Sequence, residues 1–166
     1  QEYQWGMTLG GPIIKNKLFF FVNYENTNKT YPNLNGYRQS GSRVNPDEAD
    51  DVMQKIKDMA QRQGLSYDGT FANPDIYTKS NKFGAKIDWN INDFNKFSFR
   101  WSYVDAKQLN VVSSASSLND DHYYFPFTSK TNSFTAELQS RLSPVVSNEA
   151  RVSYVRVRDK RNVSSA

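Results

Sequence analysis

Apolar and polar residues alternate along six stretches of the chain, the period-two signature of strands with two unlike faces. Tyr3, Trp5, Met7 and Leu9 alternate with Gln4, Gly6, Thr8 and Gly10. Phe83, Ala85, Ile87, Trp89 and Ile91 alternate with Lys82, Gly84, Lys86, Asp88 and Asn90. Phe97, Phe99, Trp101 and Tyr103 do so with Lys96, Ser98, Arg100 and Ser102, and Phe134, Ala136 and Leu138 with Glu137, Gln139 and Arg141. Two stretches are less regular. Leu18 to Tyr24 is apolar on both faces near its start, and Val152 and Tyr154 share a face with Arg156 while Val155 and Val157 take the other. A bulge near Tyr154 to Val155 is one way to restore the phase. The pattern predicts strands at about 2–10, 17–26, 81–91, 96–105, 130–142 and 149–159.

The connections alternate in length. Gly11 to Asn16, Asn92 to Asn95 and Ser143 to Asn148 are short and built from turn formers. The other two, about 27–80 and 107–129, are long. The first long loop carries the one convincing helix, about 46–63. Asn45 is placed to cap it, Pro46 to open it, Asp47, Glu48, Asp50 and Asp51 to face its positive end, and Gly64 to stop it. Ala49, Val52, Met53, Ile56, Met59 and Ala60 form its apolar stripe.

Alternation alone does not separate a lipid-facing strand from one packed on a soluble core. Composition tilts the choice. Only 37% of the residues are hydrophobic, yet the chain holds 3 Trp, 10 Tyr and 11 Phe. The rings gather near strand ends, as in the aromatic girdles of outer-membrane barrels. The best stretches approach the roughly 9–11 residues that a tilted strand needs to cross a bilayer. The polar faces carry Lys86, Asp88, Arg100, Glu137, Gln139 and Arg141 in mid-strand, where a watery lumen accommodates them. Short turns at one edge and long loops at the other complete the barrel pattern. The expected fold is all-β: an antiparallel transmembrane β-barrel segment, with one short helix in a long extracellular loop. Six strands are fewer than the roughly eight of the smallest single-chain outer-membrane barrels, so residues 1–166 are expected to be part of a larger barrel domain. A soluble antiparallel sheet with one wet face is the competing reading.

The run from Gly10 to Glu25, GGPIIKNKLFFFVNYE, resembles a hairpin of TonB-dependent outer-membrane transporters of the Oar-like branch, common in Bacteroidetes. Phe83 to Asn92, Lys96 to Tyr103 and Asn148 to Tyr154 are similar to the strands that follow in that family, with less specific text. The likeness spans most strand residues, roughly half the chain, and leaves out the long loops. It implies a barrel of about 22 strands with an N-terminal plug, importing a ligand with energy passed through TonB. Plug and TonB-contacting segment lie outside these residues. The partners implied are outer-membrane lipid, the remaining barrel and plug, TonB, and a surface lipoprotein.

Candidate chemistry is sparse. There is no Cys and one His, His122, set among Asn119, Asp120, Asp121 and Tyr123. A nitrogen- or sulfur-based metal site is not expected from that set, nor any cofactor. No nucleophile triad, paired catalytic carboxylates or phosphate-binding glycine loop is present, so no enzyme activity is expected. The net charge of +4 is spread without blocks of like sign. The strand rings do not share a face with a row of basic side chains, and nucleic acid is not an expected partner. The loop residues Tyr31, Tyr37, Arg38, Tyr67, Tyr77, Tyr123, Tyr124 and Phe125 are candidates either for ligand contact or for packing of the loops on one another. Arg100, Glu137 and Arg141 are candidates to line a lumen. Transport by a TonB-dependent importer is the leading functional expectation. A surface-binding, adhesive or structural β-protein without active transport is the alternative.

Overall fold

Each stretch of alternation forms a strand in a computed structural model that describes residues 1–162. The elements are β1 (Glu2–Ile14), β2 (Leu18–Tyr31), α1 (Pro46–Arg62), β3 (Ile76–Asn92), β4 (Asn95–Asn110), β5 (Phe125–Ser143) and β6 (Val146–Arg161). They make one six-stranded antiparallel sheet in sequence order, with β1 and β6 at its edges.

The register sorts the side chains. One ladder runs Leu9–Val22–Ala85–Trp101–Phe134–Tyr154 across all the strands. A ladder one residue away runs Thr8–Asn23–Gly84–Ser102–Ser133–Val155. A slip of one residue would exchange these faces, so the register is strongly specified. Ring pairs knit the apolar face: Trp5 with Tyr24 and Phe83 with Trp101 at 5.2 Å, then Trp101 with Phe134 and Phe134 with Tyr154 at 6.4 Å. Such pairs add about 0.5–1.5 kcal/mol each beyond area burial.

Among the described residues, nothing covers either face. Among the described residues, the buried ones are Asn33, Gly36, Ala49, Met53, Gly69 and Tyr124, and none lies in a strand. On the apolar face Trp5 is 52%, Leu9 64% and Val152 73% exposed. An apolar surface of that extent needs another phase against it.

The strands outrun their expected ends. They are 13 to 19 residues long, and the long loops shrink to residues 32–75 and 111–124. The added residues at the loop side, such as Thr27 to Thr30 and Thr78 to Ser80, are polar. Backbone pairing continues there although the alternation has stopped, because hydrogen bonding does not require a two-faced environment. Tyr31, Tyr77 and Phe125 therefore sit on strand ends and not in loops. The bulge considered near Tyr154 is not formed. β5–β6 pairing runs unbroken from Phe127–Arg161 to Arg141–Ser147, and the irregularity falls between Arg141 and Ser143 at the turn. Similar irregularities lie beside the other turns, between Pro12 and Ile14 and between Asn90 and Asn92. β1 continues to Ile14, so the first turn is Lys15 to Lys17, with Asn16 left-handed at φ 61°.

The helix forms as its ends dictate. Asn45 Oδ1 accepts from the Asp47 N–H at 3.0 Å, and Gly64 stops the chain at φ 73°. Its apolar stripe is covered only at Ala49 and Met53; Val52, Ile56 and Met59 remain exposed.

Candidate functional site

The polar face is an ionic wall. Lys82 Nζ lies 2.5 Å from Glu25 on the neighbouring strand, and Lys86 lies 2.7 Å from Asp88 along its own strand. Arg151 on β6 reaches Glu137 on β5 at 2.8 Å and Glu149 at 2.7 Å. Gln139 donates to Glu137 as well, at 2.7 Å. Arg100 stands directly opposite Lys86 on one side and Thr135 on the other, with no ion pair among the described residues. A concavity of about 390 Å³ opens over this wall, among Lys86, Asp88, Ser98, Glu137 and Gln139. A second, also about 390 Å³, includes Asn23, Lys82 and Arg100. Gly84 lets Asn23 lie close, since a Cβ there would stand 2.2 Å from Asn23 Oδ1.

Of the three lumen candidates, Arg100 and Glu137 thus share this wall. Arg141 lies on the same face but lower. Its guanidinium sits over the Phe94 ring at 5.4 Å, at the end of the sheet where the short turns are.

The two long loops lock to each other at the opposite end. The Tyr67 hydroxyl donates to Asp120, and this bond pushes the phenol up to about 12, with burial adding to it. Asp121 accepts from the Thr70 N–H at 2.9 Å and from its hydroxyl at 3.0 Å. Desolvation opposes ionisation of Asp121, but the two Thr70 bonds, with its own backbone N–H and the nearby His122, together hold the carboxyl below its ordinary value. Tyr124 is buried; its hydroxyl meets Ser113 Oγ at 2.9 Å and the carbonyls of Asn119 and Ala72 at 3.1 and 3.3 Å. His122 Nε2 lies 3.2 Å from Asp68.

Most loop candidates therefore spend their polar groups inside the loops. Tyr67 and Tyr124 join the two loops. Tyr37 donates to Asp50 at 2.7 Å, and Arg38 donates to Tyr37 at 2.8 Å and pairs with Asp50 at 3.2 Å. Those four side chains hold the loop and helix together instead of pointing at a ligand. Tyr123, 60% exposed, is the loop candidate left free. Tyr31 is exposed at the end of β2, Phe125 lies under Arg161 at 4.4 Å on the polar face, and Tyr77 lies on the apolar face between two lysines. Nothing in their own stretch of sequence marks Asp120 and Asp121 as loop fasteners. Asp120, Asp121 and His122 come within 4.8 Å of one another, but both carboxylates are engaged by Tyr67 and Thr70.

The apolar face ends at a defined line towards the loops. The rings along that line on successive strands are Tyr3, Tyr24, Phe83, Tyr103, Phe134 and Tyr154, and Tyr77 stands apart above them on β3. Three of the tyrosine hydroxyls meet polar side chains beside or above them. Asn28 donates to the Tyr3 hydroxyl at 2.9 Å, Tyr24 donates to Asn81 at 2.7 Å, and Tyr103 donates to Asp105 at 3.4 Å. Rings with an apolar body and a wet tip mark a membrane–water interface.

A two-faced meander of long strands, girdled by rings on one face and charged on the other, is a stretch of transmembrane β-barrel wall. The chain belongs to the outer membrane beta barrel domain family, whose model matches residues 1–37 and 26–166. No curated protein and no solved structure matches it. The protein accordingly resides in the bacterial outer membrane. Its apolar face meets lipid, its ionic face looks into the barrel, and by the asymmetry of such barrels the long loops are extracellular.

Proposed function

We propose that this wall belongs to a TonB-dependent importer that carries a ligand, such as a peptide, glycan or chelate, into the periplasm without catalysing a reaction on it. The observation that carries the reading is the inward ionic face. Lys82 with Glu25, Lys86 with Asp88, Arg100, and Glu137 with Arg151 cannot be packed against an apolar filling. They suit water, or a polar plug seated against them. The hairpin text from Gly10 to Glu25 supports the same reading. The partners would be the remaining barrel strands along β1 and β6, a plug, TonB, and a surface lipoprotein over the loops.

The test is binding of the isolated periplasmic domain of TonB to the full-length protein in detergent, with planar-bilayer conductance measured alongside. An importer binds TonB and is closed by its plug. Failure to bind TonB together with a permanently open channel would point to a pore or surface-structural barrel and overturn the proposal.

A further inference from the structure

The outward face above the aromatic girdle is strongly basic. On β3, β4, β5 and β6 the second outward position beyond the girdle rings Phe83, Tyr103, Phe134 and Tyr154 is Lys79, Lys107, Lys130 and Arg158. Arg156 and Lys160 flank Arg158 on the same face of β6. Asp105, 3.5 Å from Lys130, is the one acidic residue of this outward region among the described residues. The inward face at the same levels is balanced: Lys29 pairs with Glu2 at 3.1 Å and Lys82 with Glu25.

The arrangement is costly as it stands. Lys79 and Lys107 are direct cross-strand neighbours, and Lys107 is followed along the same ladder by Thr128 and Lys160. Like charges placed opposite each other repel. Both ammonium groups also lie over one ring, Tyr77, at 5.4 and 5.8 Å. Among the described residues neither has an acidic partner. An anion between them would relieve the repulsion.

Depth identifies the anion. Four residues of strand beyond the girdle, at roughly 3.3 Å each and a tilt near 40°, rise about 10 Å above the ring line. That height lies at the headgroups of the extracellular leaflet, and the side chains point sideways from the barrel, away from the lumen and the loop tips. A molecule standing beside the barrel at that level is a lipid.

We propose that Lys79, Lys107 and Tyr77, continued by Lys130, Arg158 and Lys160, form a binding surface for phosphate-bearing lipid headgroups of the outer leaflet. This surface follows from the barrel orientation and is independent of transport.

The experiment titrates the full-length protein in detergent with diphosphorylated lipid A, with dephosphorylated lipid A, and with diphosphorylated lipid A plus inorganic phosphate, read by native mass spectrometry. K79Q/K107Q should weaken binding of the diphosphorylated lipid by about ten- to thirtyfold. K79R/K107R should retain it, which separates charge from misfolding. K15Q/K17Q, an equal charge loss at the short-turn end, should also retain it. Equimolar inorganic phosphate should not displace the lipid. The proposal fails if native protein binds both lipids equally, if K79Q/K107Q binds as native does, if K15Q/K17Q loses as much, or if free phosphate displaces the lipid.

Discussion

Adjacent residues on β4 offer a direct test of which face meets lipid. Phe99 lies in the middle of the apolar band, between Phe97 and Trp101 and directly opposite Ile87 and Ala136. Ser98 faces the other way, directly opposite Asp88 and Glu137. Arginine at the mid-depth of a barrel's lipid face costs about 2–4 kcal/mol. Phe99→Arg should therefore lower the folded-to-unfolded ratio by about 30- to 700-fold. Ser98→Arg puts the same group between two carboxylates on a hydrated wall, and its effect should stay within about 1 kcal/mol of zero. The assay is guanidinium unfolding of the full-length protein in phospholipid bilayers, followed by tryptophan fluorescence and heat-modifiable gel migration. Phe99→Leu controls for loss of the ring. Equal costs for the two arginines, or a greater cost at Ser98, would refute the assignment of faces.

Other consequences concern the loops. The Tyr67 phenol, raised to about 12 by its bond to Asp120, lends loop stability that is complete below about pH 10, the ordinary phenol value, and is lost as pH rises through about 12. Phenolate absorbance at 295 nm should show a late-titrating tyrosine that Tyr67→Phe removes; uniform titration near 10 would contradict the bond. Asp121 has the opposite sign. Its lowered carboxyl stabilises the loops above the ordinary carboxylate range and ceases to do so as pH falls through its folded value. Asp121→Asn should remove that acid sensitivity from hydrogen exchange of residues 68–72 and Thr70→Val, which keeps the Thr70 N–H bond, should only lessen it; an unchanged pH profile in Asp121→Asn would count against it. Tyr124→Phe forfeits the hydroxyl's bonds to Ser113, Asn119 and Ala72. At about 1 kcal/mol it should speed proteolytic nicking of the long loops about fivefold while leaving barrel unfolding unchanged.

Strand positions were legible because each segment must present one face to lipid, and a period of two records that demand residue by residue. The strand ends were not legible for the same reason. Beyond Tyr24 or Phe83 neither face meets hydrocarbon, so the residues need no alternation, although pairing continues to Tyr31 and back to Ile76. The loop fasteners left even less trace. Tyr67 and Asp120 are 53 residues apart and Thr70 and Asp121 are 51 apart. Each looks, in its own stretch, like a solvated polar residue. Tyr124 gave no sign of burial because its neighbours Tyr123 and Phe125 stay more open.

Charge follows the same logic. A net +4 with no run of like sign reads along the chain as a diffuse surface bias. A strand sends alternate residues to opposite faces, so a charged patch on a sheet cannot be written as a run. Lys79 and Lys107 are 28 positions apart in sequence and yet direct neighbours. Pairing gathers Lys79, Lys107, Lys130, Arg156, Arg158 and Lys160 outside with one acid, Asp105, among them, whereas on the inward wall Lys82, Lys86 and Arg151 each have an acidic partner. Basic residues held just above a ring girdle outside, and a wall of mixed, partly ion-paired charge inside, are what a barrel needs if lipid phosphate lies on one side and a polar occupant on the other.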